Sequence, residues 1–128
     1  MKPLFLVGML LATPAIAQTR ADLQCKAIGK ELIYDCVIRV ARGDEALNDA
    51  QLTVAAGMPS MGHEAKPVKA RPGKGPGEYL VRLDLDMTGE WDVRLRFAGP
   101  VRDQVVLHYL FDERGARAVR RSGATPKK

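Results

Sequence analysis

Met58-Pro59-Ser60-Met61-Gly62-His63 places two thioethers and one imidazole within six residues. Thioether sulfur is a soft donor and imidazole a borderline one. Together they select copper, above all Cu(I), over zinc, magnesium or calcium. Pro59 and Gly62 predict an irregular loop, short enough to turn all three side chains toward one point. Met87, beside the Thr88-Gly89 turn, is the candidate fourth ligand. Each of these residues also has a plainer reading. Methionine is a common gap-filler of cores, so Met58, Met61 or Met87 taken singly reads as packing, and a lone loop histidine reads as solvent-facing. It is the three in one loop that point to metal. Trp91, across the turn from Met87, reads as the main core aromatic, whose ring would shield a Cu(I) ion if it reached the loop. His108 reads as a core or interface histidine.

Little else in the chain suggests chemistry. There is no nucleophile–base constellation and no phosphate-binding glycine loop, and two histidines are few for a copper redox enzyme. The expectation is therefore a non-enzyme: an exported copper-binding protein, a Cu(I) carrier or tolerance factor. The competing class is a non-metal immunoglobulin-like interaction module of the cell envelope. The expected partners are the copper ion and an envelope protein that donates or accepts it. Nucleic acid is not expected, because the basic residues are not interleaved with aromatics.

The elements that must position these ligands begin after a leader. Lys2, the apolar run 4–12 and Ala15-Ile16-Ala17 form the pattern of a secretory signal peptide, residues 1–17. The run is too short to span a bilayer, which takes about 20 residues. A soluble periplasmic or otherwise exported protein with no transmembrane anchor is expected, its domain covering residues 18–112. Residues 113–128 carry six cations against one acid and few large apolar side chains. They read as a basic disordered tail, which accounts for the whole formal charge of +5.

Within residues 18–112 the apolar residues alternate. Leu23, Cys25 and Ala27, then Leu32, Tyr34, Cys36, Ile38 and Val40, share one face of a hairpin turning near Gly29 and Lys30. A turn centred on Lys30 and Glu31 sets Cys25 opposite Cys36. A two-residue Gly29-Lys30 turn would leave the cysteines diagonal, too far apart for a relaxed bridge. An even cysteine count in an exported chain favours the first register and a Cys25–Cys36 disulfide. Residues 51–56 predict a third strand ahead of the methionine loop. Tyr79, Val81, Leu83, Leu85 and Met87 alternate, as do Trp91, Val93, Leu95 and Phe97, and the two runs predict a second hairpin about Thr88-Gly89. Residues 105–111 read as a central strand. Six or seven short strands without helical periodicity predict an all-β, immunoglobulin-like two-sheet sandwich.

The order Met58-Pro-Ser-Met61-Gly-His63, a Pro/Gly-rich gap, Gly77-Glu78-Tyr79, then Met87-Thr-Gly89-Glu-Trp91 resembles the YtkA-like family, which includes FixH-like proteins. The resemblance covers roughly residues 52–97. It implies an exported immunoglobulin-like domain linked to copper handling or oxidase assembly.

Overall fold

A computed structural model describes residues 18–29 and 31–119. The expected signal peptide, residues 1–17, and residues 120–128 of the expected tail lie outside the described residues. Six long strands carry the fold: β1 (Thr19–Ile28), β2 (Ile33–Arg42), β4 (Gln51–Met58), β8 (Glu78–Asp84), β9 (Gly89–Gly99) and β10 (Asp103–Phe111). Short strands lie between and after them: β3 (Glu45–Ala46), β5 (His63–Glu64), β6 (Val68–Lys69), β7 (Arg71–Pro72) and β11 (Ala116–Ala118). All pairings are antiparallel.

Two sheets form. One has the order β1-β2-β8-β7, with β3 added to β2; the other has the order β11-β10-β9-β4-β5, with β6 added to β4. This is an immunoglobulin-like two-sheet sandwich, three long strands facing three, with short additions to each sheet. The inward positions of both sheets close on one core. Tyr34, Ile38, Val54, Val93, Leu95 and Phe111 have no measurable exposure there, and Trp91 has almost none.

The first hairpin has the predicted register: Cys25 pairs with Cys36, and the two form a disulfide. The second predicted hairpin does not exist. β8 lies in one sheet and β9 in the other, joined by an arch over residues 85–88. Two strands that face each other across a sandwich core show the same inward alternation as two that lie side by side. The pattern of apolar residues cannot separate the two cases. The third strand also runs two residues past its expected end, so Met58 is its last residue.

The chain past residue 112 is not all tail. Asp112 Oδ1 accepts from the N–H groups of Arg114 and Gly115 at 2.9 and 3.0 Å, turning the chain into β11. β11 pairs with Tyr109–Phe111 of β10, and the Arg114 carbonyl accepts from Ala27 N–H of β1 at 3.0 Å. The ordered domain therefore continues through Ala118, beyond the expected boundary at 112/113. Dense positive charge and few large apolar side chains make this stretch read as unstructured. Its order comes from backbone pairing with two strands, not from buried side chains. β10 is consequently not a central strand over its whole length, since β11 covers only its last three residues. Val106 on its outward face is 40% exposed.

Tyr34 and Tyr109 tie one sheet to the other through their hydroxyls, and Tyr79 ties its sheet to the connection between β3 and β4. Tyr34 of β2 donates to the Asp112 carbonyl at 2.6 Å. Tyr79 of β8 donates to the Leu47 carbonyl at 2.6 Å and accepts from Ala50 N–H at 2.9 Å, just ahead of β4. Tyr109 of β10 accepts from Leu23 N–H of β1 at 2.9 Å. Each ring is buried, so each hydroxyl needs such a partner.

Candidate metal centre

The methionine motif is a tight hairpin at one end of the sandwich. β4 ends at Met58, Pro59–Met61 make one 3-10 turn, and β5 returns with His63 directly opposite Met58. Gly62 N–H closes the turn onto the Pro59 carbonyl at 3.2 Å. The expectation of an irregular loop is corrected: two of the three candidate ligands sit on paired strands and only Met61 is on the turn. Pro59 has the fixed φ that suits the first residue of such a turn.

The arch over residues 85–88 meets this hairpin. Leu85 is buried and its N–H donates to the Leu32 carbonyl at 2.8 Å. Trp91, the largest buried side chain, donates its indole N–H to the Met87 carbonyl at 3.2 Å. The ring thus does what a core aromatic does and also pins the backbone of the arch. Gly89 follows with φ +135, a conformation that side chains rarely adopt. A β-carbon there would also stand 3.1 Å from the terminal methyl of Met58.

Between hairpin and arch lies a hollow of about 850 Å³, whose lining includes Met58, Met61, Met87, Gly89, Glu90 and Asp92. Three of the four predicted ligands are therefore brought to one space from two separate segments. Met58 is 5% exposed, Met61 is 57% exposed, and Met87 is partly buried. His63 is not among the lining residues. As a directly opposed pair, Met58 and His63 project from the same face of the hairpin as near neighbours. His63 Nδ1 lies 2.8 Å from Asp86 Oδ2, on the arch. A carboxylate accepts only, so Nδ1 donates in this contact, which in the neutral ring leaves Nε2 as the nitrogen with the lone pair.

His108 is not a core residue. It is half-buried on the outward face of β10, and its Nδ1 lies 2.7 Å from Asp92 Oδ1. Asp92 is thereby held at the edge of the hollow. Glu64 of β5 forms an ion pair with Arg94 of β9, over Gly57 of the β4 strand between them. Glu78 pairs with Arg39 at 3.6 Å and accepts from Lys74 N–H at 3.1 Å. Asp86, Glu90 and Asp92 around the hollow were missed in the sequence. The signal that could have found them is an acidic residue just before Met87 and on either side of Trp91, in Asp86-Met87 and Glu90-Trp91-Asp92.

Among the described residues no three His, Cys, Asp or Glu side chains group as a metal site. Three thioethers share the hollow with the carboxylates of Glu90 and Asp92; the thioethers suit a soft monovalent ion better than a hard or borderline divalent one. Another hollow, of about 410 Å³ beside β1 and β2, is lined by residues such as Arg20, Asp22, Arg39 and Pro76 and includes no thioether or imidazole.

A family model described as YtkA-like matches residues 24–96. The match takes in the methionine hairpin, the arch and Trp91. It reaches back past the expected 52–97 to include the cysteine hairpin. No curated protein and no solved structure matches the chain.

Proposed function

The chain belongs to the YtkA-like family, and from that premise we propose that it is an exported copper-binding protein, a carrier that takes up one Cu(I) ion and hands it on. The observation that carries this reading is the convergence of Met58, Met61 and Met87 on one hollow. Cu(I) is cargo here. Thioethers are neutral, so they take up the ion without releasing a proton. His63 stands beside Met58 as the fourth donor, through Nε2. It is the one member of the set whose donor atom can also bind a proton. Zinc is held poorly, because it prefers thiolate, imidazole and carboxylate to thioether.

The exposure of the three methionines suits transfer. Met61 stands at the mouth, where an incoming ion or a partner's ligands reach it, and Met58 forms the floor. Export is supported by the leader pattern of residues 1–17 and by the Cys25–Cys36 disulfide, which persists in an oxidising compartment. Among the described residues no helix is long and apolar enough to cross a membrane.

Titration with Cu(I) in ascorbate, against a chromogenic Cu(I) chelator, tests the proposal. Wild type is expected to take one equivalent. The Met61→Ala/Met87→Ala variant is expected to lose it with its β-rich circular dichroism unchanged. Undiminished uptake by the variant would put the ion elsewhere. No uptake by wild type would favour the interaction module.

A further inference from the structure

We infer that Asp86 is the positioning residue of the metal centre: its carboxylate latches His63 to the arch that carries Met87. The inference rests on the Cu(I) reading of the hollow and adds a residue to it. Asp86 is next to Met87 in sequence and Oδ2 is 2.8 Å from His63 Nδ1 in space. His63 in turn is register-paired with Met58. One contact therefore connects the two segments that supply the thioethers.

The contact has two effects. It fixes the imidazole as the Nδ1–H tautomer, leaving Nε2 as the nitrogen with a free lone pair. Hydrogen bonds of this kind to a ligating histidine orient the ring and raise its basicity. It also ties the arch to the methionine hairpin, the two segments that border the hollow. The hydrogen bonds from Leu85 N–H to the Leu32 carbonyl and from the Trp91 indole to the Met87 carbonyl also anchor the arch. Both hold its backbone onto the core. Neither reaches the methionine hairpin. The Asp86 side chain does, and it is 64% exposed with no packing role of its own. Burial does not explain an acid at this position, whereas the His63 contact does.

The test compares wild type with Asp86→Ala and Asp86→Asn. In the copper-free proteins, the ring nitrogen shifts of His63 report the tautomer. Amide exchange across residues 59–63 and 86–89 reports the tie between the two segments. Wild type is expected to show Nδ1–H. Asp86→Ala is expected to lose that preference and to exchange faster in both segments, with an unchanged melting temperature. Asp86→Asn, whose carbonyl still accepts from Nδ1–H, restores both. In Cu(I) competition, Asp86→Ala is expected to weaken binding about 10- to 100-fold, with Asp86→Asn close to wild type. If Asp86→Ala keeps the wild-type tautomer and exchange, or binds Cu(I) as wild type does, the latch is refuted while the thioether site stands. A wild-type protein that takes up no Cu(I) overturns the site and the latch with it.

Discussion

Met58 and Met61 are three positions apart and differ in exposure, 5% against 57%, so replacing them separates packing from ligation. Met58→Ala empties a core position and should cost about 2–5 kcal/mol of stability. Met61→Ala should change stability by less than about 0.5 kcal/mol while weakening Cu(I) binding. Denaturant unfolding and copper competition on the two variants check both halves. Equal stability losses would contradict the assignment of Met58 to the floor and Met61 to the mouth. Gly89→Ala adds strain at φ +135 and a methyl against the end of Met58, so it should impair the site without removing a ligand. Residue types were legible in the sequence because soft donors clustered in six positions are unusual. The job of His63 was not, since no pattern of spacing announces that its partner is Asp86, on an arch beyond the Pro/Gly-rich segment.

At the scale of elements, the cysteine hairpin was readable to the residue. Alternation fixed which side chains face inward, and only one register put Cys25 against Cys36. Replacing both cysteines by alanine should cost about 2–3 kcal/mol, the loop-closure entropy of so short a loop. Unchanged unfolding would show that the bridge adds nothing to the paired strands. The arch between β8 and β9 was not readable, because alternation reports burial and not which strand lies alongside. Nor was β11, whose Ala116, Arg117 and Ala118 carry no strand signal and are held by backbone pairing. Ending the chain at Glu113 should therefore lower the melting temperature, whereas ending it at residue 119 should not. Equal melting temperatures would show that β11 is dispensable. Tyr34→Phe removes the cross-sheet bond to the Asp112 carbonyl and should cost about 1 kcal/mol.

Across the whole molecule, the ends of the sandwich are fastened by charged and polar contacts whose pH dependence has a definite sign. Asp103 is held below the ordinary carboxylate range by the Thr19 hydroxyl, by the Gln104 N–H and by the charge of Arg42. Asp112 is held low by the N–H groups of Arg114 and Gly115 and by the nearby arginines. Asp35 is held low by its bond to Arg82. A carboxylate depressed in the folded state stabilises it fully above the unfolded value, about 3.9 for Asp, and loses that contribution as pH falls through the folded value. The melting temperature should thus change little from neutral pH down to about 4 through these groups, then drop. Asp103→Asn should flatten that acid limb, and a limb unchanged by the substitution would remove Asp103 from the account. The hollow is lined by none of these three carboxylates. It depends on an immunoglobulin-like topology that sends the methionine hairpin and the β8–β9 arch to the same end of the two sheets. The most direct measurement is copper-edge X-ray absorption on the protein loaded with one equivalent of Cu(I). A shell dominated by sulfur, reduced in Met61→Ala/Met87→Ala, is the predicted result. A shell of nitrogen and oxygen alone, the same in both proteins, would contradict a thioether site.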